Sequence, residues 1–247
     1  MRVLPLLATA GLVLGLAGCS TIRLPLGGRA STAAPTVTPT VTASATPTHR
    51  AAVGRYRGSG DKLIPIEPTT AIGLITITAH GRGSFMVQSV DASGDDVEFL
   101  AEGEGDYRGT RMYNLEDEAE PVAAMRVTAQ GSWEITLKPV EEARVWEGPL
   151  AKGFGDDVLY LDPEAEEGET ITSAFTGDDN FVVEGYTEDG SSLLANEIDT
   201  CEVEEELVDG MFLVTVEGNG TWKLRRTGPH RIQTATGPRA REDLISL

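Results

Sequence analysis

The chain carries one module twice, and this sets the scale on which it must fold. Gly58-Ser59-Gly60-Asp61 recurs as Gly153-Phe154-Gly155-Asp156. Gly81-x-x-Ser84-Phe85-Met86-Val87 recurs as Gly177-x-x-Asn180-Phe181-Val182-Val183, and Phe99-Leu100-Ala101 as Leu193-Leu194-Ala195. Each copy ends on Gly-x-Trp: Gly131-Ser132-Trp133 and Gly220-Thr221-Trp222. An offset of about 90 residues is domain size, well beyond the roughly 20–45 residues of a solenoid repeat. The repeat therefore predicts two tandem homologous domains, 55–147 and 148–227.

Within each copy the apolar residues alternate, as in Ile75, Ile77 and Ala79 or Phe85 and Val87. Thr, Val and Ile are frequent, and Gly, Asp, Asn and Ser separate the runs, a strand-and-turn pattern with no long helical period. About six or seven strands, each under about ten residues, are expected per copy. The predicted fold class is all-β: two tandem antiparallel β-sandwich domains, immunoglobulin-like or jelly-roll-like, after a disordered stalk. Trp133 with Ile135 and Leu137, and Trp222 with Leu224, form period-2 faces, so both tryptophans are expected as core anchors. The copies diverge in 106–121 and 198–210, and Arg225-Arg226 stands near where the first copy has Leu137-Lys138.

The Gly-x-Gly-Asp, Gly-x-x-Ser/Asn-Phe-x-Val, Leu-Ala and Gly-x-Trp signatures together resemble a family of β-rich modules in secreted proteins of high-GC Gram-positive bacteria. The resemblance covers roughly residues 58–138 and 153–226. It implies an extracytoplasmic module and brings no activity with it.

The N-terminus adds a second resemblance. Arg2 precedes an apolar run from Val3 to Leu16, followed by Ala17-Gly18-Cys19. The run is shorter than the roughly 20 apolar residues of a membrane span and reads as a signal peptide. Leu16-Ala17-Gly18-Cys19 resembles the lipobox of bacterial lipoproteins. That implies cleavage after Gly18 and lipidation of the Cys19 thiol with acyl chains of the palmitate type. The expected layout is a signal peptide (1–18), a lipidated Cys19 and stalk (19–54), the two repeats, and a C-terminal tail (228–247). Residues 30–48 are Thr, Ala, Ser, Pro and Val, too poor in burial to offset the entropy of ordering. The expected location is the extracytoplasmic face of the cell membrane.

The net charge is −19, and residues 148–226 hold twenty acidic residues against four basic ones. So acidic a surface repels phosphate backbones, and no nucleic-acid partner is expected. Asp61, Asp156, Asp178 and Asp179 lie in turns and are weak calcium candidates, with capping of those turns as the alternative. No other cofactor is expected. Zinc needs clustered His and Cys, and the chain has three His and two Cys. A serine triad needs a histidine. Only His80 lies inside a repeat, and the second copy has Thr176 in its place. The chain is therefore expected to be a non-enzymatic binding module for a protein or a cell-wall glycan. The alternatives are a structural envelope lipoprotein without a discrete ligand, or an accessory hydrolase.

Cys19→Ala should abolish incorporation of an acyl analogue and leave the protein uncleaved or released to the medium. Metabolic labelling followed by membrane fractionation checks this, and unchanged labelling would refute the lipoprotein reading.

Overall fold

The computed structural model describes residues 47–115 and 120–228. The signal peptide, Cys19, most of the stalk and the tail from 229 onward lie outside those residues.

The first copy forms eight strands: β1 (Gly54–Ser59), β2 (Lys62–Thr69), β3 (Gly73–His80), β4 (Ser84–Val90), β5 (Asp96–Glu104), β6 (Tyr107–Tyr113), β7 (Val122–Ala129) and β8 (Ser132–Pro139). β1 pairs with β8, β2 with β7, β3 with β6 and β4 with β5, all antiparallel. The first four strands thus run against the last four as one long hairpin. Rolling that hairpin pairs β3 with β8 and β4 with β7. Two four-stranded sheets result, β1-β8-β3-β6 and β2-β7-β4-β5, in jelly-roll order. Their inner faces bury Ile75, Ile77, Val87, Met125, Val127, Trp133, Ile135 and Leu137.

A 3-10 turn, Val140–Glu142, leads into the second copy. Its strands are β9 (Arg144–Glu147), β10 (Leu150–Phe154), β11 (Asp157–Asp162), β12 (Thr170–Thr187), β13 (Gly190–Ile198), β14 (Cys201–Glu206) and β15 (Leu213–Thr227). The same roll recurs with fewer, longer strands. β15 pairs with β10 through its second half and β11 through its first, and β12 pairs with β14 through its first half and β13 through its second. β12 and β15 pair along nearly their whole length, with one irregularity between Gly177 and Phe181. In the first copy the corresponding strands break at 81–83 and 130–131, where a Cβ on Gly131 would run into the His80 carbonyl. The expectation of strands under ten residues therefore fails for β12 and β15, which bend through both sheets instead of stopping between them.

Two edges of the expected layout also shift. β9 lies in the range assigned to the first repeat, yet it pairs with β11, and in parallel, so the second sheet is mixed and not wholly antiparallel. The stalk was expected to reach residue 54, but Thr48 bridges Thr69 and its amide donates to the Pro68 carbonyl at 2.8 Å. All described residues belong to one compact unit, Thr42–Leu247.

The repeated motifs now have physical causes. A Cβ on Gly58 or Gly153 would collide with the indole of Trp133 or Trp222. Gly60 and Gly155 turn at φ +70° and +72°, a region that glycine enters without strain. Each presents its carbonyl to an indole N–H, at 2.9 Å from Trp133 and 2.8 Å from Trp222. The following aspartate accepts a backbone N–H from the neighbouring strand, Asp61 from Ala129 at 3.0 Å and Asp156 from Gly218 at 2.9 Å. The Leu-Ala motif is a β-bulge. Pairing slips between Val87 and Gln88 and again between Val183 and Glu184. The slip buries both Leu100 and Ala101, or Leu194 and Ala195, and turns Phe99 or Leu193 outward.

One core position changes character between the copies. Counting from the tryptophans, Leu137 corresponds to Arg226, and both are buried. Arg226 reaches the equally buried Glu169 at 2.6 Å and donates to the carbonyls of Pro163 at 2.8 Å and Glu164 at 3.2 Å. This network pins the 163–169 loop to the roll. Removing one partner of a buried ion pair strands the other charge, at a cost of about 3–5 kcal/mol. Glu169→Leu should lower unfolding stability by about that amount in urea titration, whereas Glu204→Leu on the exposed β14 edge should change it little.

Candidate functional site

Among the described residues, the place where several elements converge is the seam between the two rolls. β6 is the outer strand of its sheet in the first roll, and it meets the start of β11 in the second. The Thr110 amide donates to the Asp156 carbonyl at 2.9 Å. The Tyr107 hydroxyl donates to Asp156 Oδ2 at 2.6 Å, and Arg111 approaches the same oxygen at 3.3 Å. The other Arg111 amine lies 2.7 Å from Glu217 Oε1. Close backbone approach is built in, since a Cβ on Gly155 would strike the Arg108 carbonyl. On the far side of this polar cluster, Leu74, Met112, Val140 and Ala143 pack against Val158, Phe212 and Leu213.

Beside these contacts a cleft of about 300 Å³ stays open. One wall is Val97 to Leu100 of β5 with Thr110 to Met112 of β6 and Leu115; the other is Asp157, Val158, Tyr186 and Thr215 to Glu217. Phe99 and Leu115 stand exposed at its mouth, at 51% and 40%. Glu98 is fixed by the amides of Asn114 at 2.8 Å and Leu115 at 3.0 Å. Asn114 adopts φ 61°, and its side-chain amide donates to the carbonyls of Thr69 and Ala71. The cleft thus combines an apolar mouth with a charged floor.

The electrostatics follow from burial. Burial and then the Asp156 charge push the Tyr107 phenol far above its ordinary value. Burial and then Glu184, which accepts its hydroxyl at 3.0 Å, do the same to Tyr186. Burial raises Glu217 despite the opposing pull of Arg111, and raises Asp157 despite Arg144. Burial works against the Arg111 charge, but Glu217 and Asp156 outweigh it and raise its pKa.

The sequence candidates fall in different places. Asp61 and Asp156 are the turn clamps described above, and Asp156 is also the centre of the seam. Asp178 and Asp179 lie exposed at the bend of β12, where Asp179 accepts the amide of Asn180 at 2.8 Å. Among the described residues, no group of three or more His, Cys, Asp or Glu side chains is placed to hold a metal ion. Cys201 is half-buried on β14 against the core, and burial raises its thiol pKa. His80 lies exposed, 3.4 Å from Asp106. The sequence also offers the stretch holding Tyr107, Arg111 and Tyr113 as a place for binding, and all three lie on β6, where the two copies diverge.

Comparison with known proteins adds little. No protein-family description and no curated protein matches the chain. Among solved structures, cAMP bound PfPKA-R (141-441) is similar at 11% identity over 70% of each chain, with a TM-score of 0.20. A likeness that slight carries no argument about fold or ligand.

The Tyr107–Asp156 contact is a hydrogen bond to a charged group, worth about 1.5–3 kcal/mol. Tyr107→Phe should lower stability by about that amount in urea unfolding. The pH sign is fixed by the raised phenol. In the unfolded chain Tyr107 ionises near 10, whereas in the fold it stays protonated. This stabilisation is present below pH 10 and declines above it. Tyr107→Phe should therefore also soften the alkaline decline of stability seen in the parent.

Proposed function

We propose that this chain is a lipid-anchored, extracytoplasmic binding module without catalytic activity, and that it takes its ligand in the cleft at the seam. The observation that carries the reading is the cleft itself: a concave site between two rigid rolls, apolar at the mouth and with a few fixed polar groups at its base. Phe99 and Leu115 are the exposed apolar anchors there, held by a β-bulge and by the Glu98–Asn114 network. The lipid on Cys19 and the Thr/Pro stalk would hold the rolls away from the membrane, where a protein or a cell-wall glycan is the partner within reach. The turn carboxylates have structural duties in this reading, and calcium has no part in it.

The test is retention of partners on immobilised mature protein from cell-wall glycan fractions and from secreted proteins. Phe99→Asp should weaken retention of the bound partner by about tenfold or more, the loss of a central interface residue. Leu193→Asp, at the equivalent bulge of the second roll and away from the cleft, should leave retention unchanged. Equal retention by all three proteins would move the binding site elsewhere. Hydrolysis of a retained glycan would replace the binding reading with an enzymatic one.

A further inference from the structure

The second roll has one surface whose charge is not balanced internally. Three of the four basic residues in 148–226 lie together on the outer face of the sheet β10-β15-β12-β14. Lys152 on β10 stands directly opposite Lys223 on β15, and Leu150 opposite Arg225. All three cations are exposed, and none takes part in an ion pair among the described residues. Like charges directly opposite each other on a sheet destabilise it, so the Lys152–Lys223 pair is a cost the roll itself does not recover. Two strands further across the same face, β14 carries Glu202, Glu204 and Glu206, also exposed and without ion pairs among the described residues. Between cations and carboxylates runs β12, presenting only Thr170, Thr172, Ala174 and Thr176.

We propose that this face docks a second copy of the chain, with a two-fold axis running along the strands between β12 and β15. Such an axis sets the cationic half of each copy over the acidic half of the other and satisfies both at once. With strands about 4.8 Å apart, the separation from β10 to β14 is about 14 Å, and turning the partner over matches the two strands. The low ridge of Thr and Ala on β12 lets the sheets approach. Sheets packed in this way keep their strands within about 30° of each other, which preserves the pairing of charge rows. A flat polyanion such as a membrane surface satisfies the cations but meets Glu202, Glu204 and Glu206 on the same plane. The charge pattern therefore favours a copy of itself. Four short strands offer roughly 400 Å² per partner from their spacing and rise, below the roughly 800 Å² of a standard interface, so the dimer is weak in solution. Confinement by a common membrane anchor raises the effective concentration that such a contact needs.

The experiment uses the mature chain with Cys19→Ala, followed by sedimentation equilibrium up to millimolar concentration at physiological and at high salt. At about 0.15 M salt the long-range repulsion between acidic copies is screened beyond roughly 8 Å, while contact pairs survive. The parent should dimerise with concentration and dissociate at about 1 M salt. A basic-to-acidic variant, Lys152→Glu with Lys223→Glu and Arg225→Glu, should weaken self-association at least tenfold. So should the reverse variant, Glu202→Lys with Glu204→Lys and Glu206→Lys. An equimolar mixture of the two should form the heterodimer, because one face is now wholly acidic and the other wholly basic. A parent that stays monomeric throughout, or a mixture of folded variants that does not associate, overturns the proposal. Binding of the parent to anionic vesicles without self-association also overturns it and assigns the cationic half to a membrane.

Discussion

The carboxylate of Asp156 serves two structures at once, and the arrangement of the two rolls rests on it. Its Oδ1 accepts the Gly218 amide and closes the turn beneath Trp222. Its Oδ2 receives Tyr107 and Arg111 from the other roll. The equivalent Asp61 makes only the first kind of contact among the described residues. One carboxylate is thus both a turn clamp and the centre of the seam. Any shift of the Gly-x-Gly-Asp turn in the second roll is transmitted directly to β6 and to the cleft wall that β6 forms.

The sequence revealed the parts of this fold that the two copies share. The alternation of Ile75, Ile77 and Ala79, the glycines packed on the tryptophans and the bulges at Leu100 and Leu194 all follow local rules that act identically in each copy. What the copies do not share was hidden. The edge strands β6 and β14 occupy equivalent positions, but β6 meets the neighbouring roll whereas β14 carries exposed glutamates, so their sequences differ and the comparison broke there. β9 was assigned to the wrong side of the boundary because a four-residue strand carries no period of its own. Its parallel partner β11 lies beyond a turn that reads as a linker. Arg226 stands out in the sequence only as a departure from the first copy, because Glu169, the ion partner that accompanies its burial, is 57 positions away in the chain. Of the cleft only Arg111 on one wall was singled out by the sequence, since the two walls come from different repeats and exist only once the seam has formed.

The strong acidity of the second roll is distributed with a pattern. Its carboxylates gather on β14, on the loop before β12 and at the bend of β12, while its free cations gather on β10 and β15. Strand edges rich in charge resist pairing with other chains. The acidic composition therefore keeps open edges from sticking together, while the outer sheet face carries exposed charge of both signs.

The seam also depends on side chains that the second roll does not repeat. Counting along the paired strands, Tyr107 corresponds to Cys201 and Arg111 to Glu205. The first roll thus has an edge strand that grips its neighbour, and the equivalent strand of the second lacks the side chains for it. A third module joined in the same way would meet a carboxylate where the guanidinium should be and a thiol where the phenol should be. The grip that β6 has on Asp156 thus has no counterpart on β14.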